Sequence, residues 1–241
     1  MPIPAATAHT TASITAGPWT EPDIDPSTPT VRMPAPLYAR LLRQAQDLNA
    51  AGLKAYGLLI GDPAHPDFPY QAVDIVLFDP HRNRRNEPAN RAAFHAQGSY
   101  FRVYEDAGFV ADPTDLLREW QRIERRGLEP VAAFHVHRRQ PANFSTIDYR
   151  LHNPAFAWHL IISLRDPAAP DIRSYRVRKS LDELGIDETD DLEGSELSYL
   201  GPEVSPLGLV LTSGVPSRTG QRVGPSGDAP ARYPDNRRPM G

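Results

Sequence analysis

The chain of 241 residues contains no cysteine. Disulfides, thiolate chemistry and every zinc site built on sulfur are therefore excluded, and any metal ion must be held by His, Asp or Glu. Long apolar runs are also missing. No stretch approaches the roughly 18 residues that a bilayer-crossing helix needs, so no membrane span is expected. Residues 1–16 lack a basic start and a sustained apolar segment. They do not read as a secretory signal, which leaves the cytoplasm as the expected location. There is no excess of positive charge either: the formal net charge is -4. A general nucleic-acid binder shows a basic patch or stripe, and none is apparent. Lysine is nearly absent, with only Lys54 and Lys179 in a chain that otherwise uses arginine.

Apolar residues make up 40% and charged residues 23% of the chain, enough for one good-sized core with polar ends. Residues 1–33, rich in Pro, Thr, Ala and Ser, are expected to form a disordered arm, because such a segment buries too little to offset its ordering entropy. A helix is expected from Pro34 to Ala51, with Leu37, Leu41, Leu42, Ala45 and Leu48 at helical spacing and Gly52 as its stop. Strands are expected over 55–61 and 71–78, followed by a polar, arginine-rich excursion over 79–108. Asp112 and Pro113 suit the start of a second helix, on which Leu116, Leu117, Trp120 and Ile123 share a face. Strands over 131–136, 158–164 and 172–177 flank a short helix over 145–152. Beyond Lys179 comes an acidic segment, then a short apolar run over 207–211 that could add an edge strand, then a Pro-, Gly- and Ser-rich end expected to be disordered. The order predicts an α/β (α+β) domain over 34–179, a mixed sheet flanked by helices, with an N-terminal arm over 1–33 and a tail over 180–241.

The chemistry concentrates in Ala133-Phe134-His135-Val136-His137 and the Ser145-Thr146-Ile147-Asp148 that follows, a pattern H-x-H-x7-S-x-x-D. Histidines two apart on a strand face the same side, so both imidazoles can address one ion. Asp148 arrives in the first turn of the short helix. Two histidines and one carboxylate leave a fourth position open on a tetrahedral zinc, the mark of a catalytic rather than a structural site. Ser145-x-x-Asp148 also reads as a capping-box-like helix start.

This segment resembles the JAMM (MPN-plus) metallopeptidase family, whose signature is an early-strand glutamate followed by H-x-H-x7-S-x-x-D. More specifically, it resembles the bacterial branch that trims ubiquitin-like sulfur-carrier proteins. The resemblance includes Tyr56 to Gly61, Asp115 to Trp120, Glu129-Pro130-Val131, Ser163 to Pro167 and Arg173 to Val177, and covers residues 34–179. It implies a JAMM-like (cytidine-deaminase-like) fold, Zn2+ held by His135, His137 and Asp148, and Ser145 hydrogen-bonding the oxyanion as water attacks a carbonyl. The implied reaction is zinc-dependent hydrolysis of an amide or isopeptide bond. Its partner would be a ubiquitin-like sulfur-carrier protein with a flexible C-terminal tail, or a small amide.

The sequence departs from the family in three places. Lys54 stands where the family has its general-base glutamate, three residues before Gly57. An ammonium cannot take a proton, although a neutral lysine can, and burial beside a cation favours the neutral form. Asp47, Glu87 and Glu105 are candidate substitute acids. Val136 replaces the usual Ser or Thr between the histidines, and Arg138-Arg139, where a proline is common, would make the site mouth basic. Three readings stay open: an active zinc hydrolase, a binding module that holds a tail without cutting it, and a zinc enzyme redirected to other chemistry with Lys54 orienting a substrate carboxylate.

Overall fold

The computed structural model describes residues 29–96, 99–104, 106–179 and 203–213. The expected disorder of 1–28 and 214–241, the acidic segment over 180–202, and Glu105 lie outside the described residues. Among the described residues seven strands form one mixed sheet: β1 (Thr30–Pro34), β2 (Tyr56–Gly61), β3 (Asp74–Leu77), β4 (Glu129–His137), β5 (Trp158–Ser163), β6 (Asp171–Val177) and β7 (Val204–Thr212). Their spatial order is β1-β7-β6-β5-β4-β2-β3. β1 with β7 and β4 with β5 are parallel; the other neighbours are antiparallel.

Two differences from the sequence expectation concern the sheet's ends. Residues 30–33 are not part of a disordered arm. Val31 and Met33 are fully buried and alternate with exposed Arg32, a two-residue period that the surrounding prolines obscure. The 207–211 run is not an edge either: β7 lies between β6 and β1, pairing with each along a different half of its length. The sheet curls far enough for Arg32 to exchange backbone hydrogen bonds with Tyr70 and Ala72, just before β3.

Helix α1 (Ala35–Ala50) fills the hollow of that curl. Pro34 and Pro36 sit at its opening, and Gly52, at φ +80°, follows its end, a conformation that glycine adopts without a Cβ penalty. Leu37, Leu41 and Ala45 pack on Leu59, Phe134, Val136, Trp158 and Leu160. Strand parity then fixes the rest. Because Phe134 and Val136 point under α1, Ala133, His135 and His137 point to the opposite face. Val136 is apolar because its side of β4 belongs to this core. Gly57 is required here: a Cβ would collide with the Val76 carbonyl and come within 2.5 Å of the Phe134 ring.

The second face carries α4 (Pro113–Glu124) and α5 (Thr146–Leu151). Asp112 caps α4 by accepting from the Thr114 and Asp115 amides at 2.9 and 3.2 Å. Ile123 is buried with Leu58, Ile60 and Val76. Leu116, Leu117 and Trp120, expected to share the buried face, are 38%, 59% and 47% exposed. The helix packs through its C-terminal turn, and its first half overhangs a cavity instead.

The 79–108 excursion is no simple loop. It holds two single-turn 3-10 helices, then α2 (Pro88–Ala96) and α3 (Ser99–Val103). Arg85, 1% exposed, ties it together. Its guanidinium donates to the Ala107 and Phe101 carbonyls at 2.9 and 2.7 Å and lies over the Phe94 ring.

Candidate metal centre

The H-x-H pair ends β4 on the face away from α1, and α5 brings Asp148 over it. His135 Nε2 lies 2.9 Å from His137 Nε2 and 3.1 Å from Asp148 Oδ1. His137 Nε2 lies 3.9 Å from Asp148 Oδ2. All three side chains are 11–15% exposed. Ligand atoms at zinc's usual bond lengths and tetrahedral angles stand about 3.4 Å apart. The three donors therefore fit an ion of that size, and they are the group among the described residues whose atoms converge within 4.8 Å.

The surroundings orient each donor. His137 Nδ1 donates to the Pro141 carbonyl at 2.7 Å, which leaves Nε2 as its lone-pair nitrogen when neutral. The Ser145 amide and hydroxyl both donate to Asp148 Oδ2, at 2.8 and 2.7 Å, while the Asp148 amide donates back to Ser145 Oγ at 3.1 Å. That is a complete capping box. It occupies one carboxylate oxygen and leaves Oδ1 facing His135 Nε2. Ser145 thus has a definite local role as the cap that aims Asp148.

Burial, reinforced by the neighbouring His135 charge, pushes His137 down to about 4. Burial alone would raise Asp148, but the two histidines and the Ser145 hydroxyl together hold it well below the usual carboxylate range. Near neutral pH the site therefore presents a neutral His137 and an ionised Asp148, the protonation states a metal requires.

Lys54 is not a solvated surface residue. Its side chain is 19% exposed and its ammonium pairs with Asp106 Oδ2 at 3.3 Å. Burial lowers its pKa, and Asp106 partly opposes this. It lines a cavity of about 400 Å³ together with His135, His137 and Asp148. Of the candidate substitute acids, Asp47 is exposed on α1, and Glu87 is exposed and paired with Arg84; neither lines the cavity. The acid the fold does bring to Lys54 is Asp106, which sequence reasoning missed. It arrives at the end of the excursion, where no local spacing announces it. Arg138 donates to Asn49 Oδ1 and the Gly52 carbonyl and ties β4 to the end of α1, and neither it nor Arg139 lines the cavity.

The cavity floor is polar and its walls are mostly apolar, with Leu116, Trp120, Phe109, Ile147 and Phe156 among them. Tyr56, opposite His135 in the β2–β4 register, stacks on Phe109 and donates to the Asp106 carbonyl. Two further buried histidines, His159 on β5 and His152 at the end of α5, stand behind His135. A histidine inside the otherwise apolar run Trp158-His159-Leu160-Ile161 is the signal that could have found the first.

A curled mixed sheet that presents two histidines and a carboxylate to one point at the base of a cleft defines a mixed α/β protein with a candidate mononuclear metal centre. The model for prokaryotic homologs of the JAB domain matches residues 34–178, and the chain belongs to that family. A solution structure of a protein from Desulfitobacterium hafniense shares the fold, with a TM-score of 0.50 at 20% identity over 78% of this chain and 96% of that one. A solution structure of a Salinibacter ruber protein matches with a TM-score of 0.39 at 19% identity, over 73% of this chain and 99% of that one. The crystal structure of a JAB1/MPN domain protein from Archaeoglobus fulgidus matches with a TM-score of 0.32 at 12% identity, over 59% and 87%. No curated protein matches the chain. Among the described residues no helix is long and apolar enough to cross a membrane.

Proposed function

We propose that the chain is a zinc-dependent hydrolase of the JAMM type, cleaving an amide or isopeptide bond at the C-terminal tail of a ubiquitin-like or sulfur-carrier protein. The observation that carries this reading is the convergence of His135 Nε2, His137 Nε2 and Asp148 Oδ1 at the floor of an apolar-walled cavity. Zinc held there supplies Lewis-acid polarisation of a carbonyl and lowers the pKa of water. The chain's own residues do the rest. Leu116, Trp120 and Phe109 exclude solvent from a narrow, extended tail. Ser145 donates to the oxyanion once its hydroxyl turns from Asp148 Oδ2, which the Ser145 amide continues to hold. Lys54 and Asp106 form the only ion pair described at the cavity that includes a lysine, and they are assigned proton acceptance or the orientation of a substrate carboxylate.

The same pair supports a second reading, a binding module. A charged Lys54 satisfied by Asp106 puts an ammonium where the family's general base would stand, so a tail could be held without being cut. One experiment separates the two. The zinc-loaded chain is incubated with ubiquitin-like carriers bearing short C-terminal extensions, with binding followed by titration and cleavage by mass spectrometry. Cleavage that is lost on chelation and in His137→Ala is the expected result. Tail binding without cleavage overturns the hydrolase and leaves the binding module; gain of cleavage in Lys54→Glu would then identify the missing base. A chain that takes up no zinc and binds no tail overturns both.

A further inference from the structure

We infer that His159 and His152 are positioning residues that set the tautomer of His135, and so aim its Nε2 lone pair at the metal. This rests on the reading of His135 as a metal ligand. The argument begins at a carbonyl. The Phe156 oxygen can only accept, and His152 Nε2 is 3.1 Å from it, so that nitrogen carries the hydrogen. A neutral imidazole has one N–H, so His152 Nδ1 is left as an acceptor. Its neighbour at 3.2 Å is His159 Nδ1, which must therefore donate. His159 Nε2 is then the acceptor, and it faces His135 Nδ1 at 2.7 Å. His135 donates from Nδ1, which leaves Nε2, facing His137 Nε2 and Asp148 Oδ1, as the nitrogen that can offer its lone pair to a metal. The reverse order would set two lone pairs against each other at the Phe156 carbonyl, in a place where water cannot intervene.

The fold builds this row deliberately enough to name its parts. His159 pairs in register with Ala133, so it lies on the same sheet face as His135 and diagonally beside it. His152 ends α5, and the Phe156 carbonyl follows four residues later. His152 and His159 are 2% and 7% exposed. The Phe144 ring stands edge-on to both. Lys179 donates to the Tyr149, Arg150 and His152 carbonyls at 2.9, 2.7 and 3.3 Å, which fixes the helix end that carries His152. His137 reaches the same outcome independently through Pro141, so both ligands present Nε2. Both supporting rings are buried, and burial disfavours the charged imidazolium.

The test uses the full chain, metal-free and 15N-labelled, at pH 7.5. Long-range 15N–1H spectra read which ring nitrogen carries hydrogen. The expected pattern is Nδ1–H on His135, His137 and His159 and Nε2–H on His152. Zinc affinity is measured by competition with a chromophoric chelator for the parent and three variants. His159→Leu should weaken zinc by roughly 10- to 100-fold. His159→Gln, whose amide can accept from His135 and donate to His152, should recover most of that loss. His152→Phe, which touches none of the ligands, should shift the His135 resonances and weaken zinc by a smaller factor. Finding no hydrogen on His135 Nδ1, or zinc affinity unchanged in both His159→Leu and His152→Phe, overturns the inference while leaving the metal site standing. If His159→Leu does not fold, the parent spectrum and His152→Phe still decide. If the parent takes up no zinc, the metal reading falls, and the spectrum alone decides the tautomer order.

Discussion

The two sides of the cavity are built in different ways. One side is a single continuous stretch, β4 through α5, in which the strand period, the capping box and the spacing between them place His135, His137 and Asp148. The other side is assembled from the excursion over 79–108, the start of α4 and the lead-in to β2, held by long-range contacts: Arg85 to Ala107 and Phe101, Tyr56 to Asp106, Lys54 to Asp106. The first side carries donors that could bind a metal. The second decides what reaches it. Local periodicity can specify chemistry, whereas the access path depends on tertiary contacts with no short-range signature.

The largest effect is expected on the first side. His137→Ala removes one of three donors, and zinc content measured by elemental analysis should fall from about one per chain to near none. Chain stability without metal should change little, since His137 supports no core cluster. Undiminished zinc in this variant would mean that the pattern is not the metal site.

The converse break is on the second side. Arg85→Met keeps apolar bulk but leaves the Ala107 and Phe101 carbonyls without their buried donor. A loss of roughly 2–4 kcal/mol is expected by denaturant titration. Hydrogen exchange should quicken within the described parts of 84–110, while amides of β4 and β5 stay protected and zinc content stays unchanged. If β4 loosens equally, the two sides are one cooperative unit and the contrast fails.

The same contrast explains what the sequence could disclose. Helices α1 and α4, strands β2, β4, β5 and β6, the H-x-H pair and the Asp148 helix turn all follow from periodicity and capping, and each lies close to its expected range. β1 was hidden because two buried side chains in a proline-rich context give too short an alternation to read. The place of β7 between β6 and β1 depends on pairing across the fold, which composition does not encode. Lys54 was visible as a departure, but its partner Asp106 was not, because 52 positions of chain separate them and the intervening helices, not a motif, bring them together. His152 and His159 were readable as histidines and unreadable as a row, since their alignment with His135 needs the β4–β5 register.

A pH titration sharpens the contrast further. In the metal-free protein His137 and His152 are held down to about 4, and His159 well below its ordinary value, each chiefly by burial. His152 also faces the Lys179 charge, which lowers it, and Asp148, which opposes. The unfolded chain takes up protons on His137 and His152 near pH 6.5, and the folded chain refuses them there until about pH 4. Stability is therefore complete above about pH 6.5 and lost as pH falls, by roughly 1–2 kcal/mol at pH 5 for each of His137 and His152, with a further loss in the same direction from His159. Asp148, depressed in the fold, adds its own loss only at lower pH, below the unfolded carboxylate value. Thermal midpoints between pH 7.5 and 5 test this, and His152→Phe should flatten the curve. A parent curve that is already flat would show that these rings accept protons in the folded state.

The smallest effect comes from comparing two helix caps. Asp112 caps α4 on the access side, and Ser145 caps α5 on the donor side. Asp112→Ala and Ser145→Ala should each cost about 1 kcal/mol of stability, because each removes an acceptor for the first-turn amides. Only Ser145→Ala should also weaken zinc, since its hydroxyl occupies Asp148 Oδ2 and keeps Oδ1 turned to His135. Ser145→Thr, which keeps the hydroxyl, should restore both properties. Equal zinc affinity in the two alanine variants would reduce Ser145 to a helix cap, and the carboxylate would then owe its aim to the backbone amide alone.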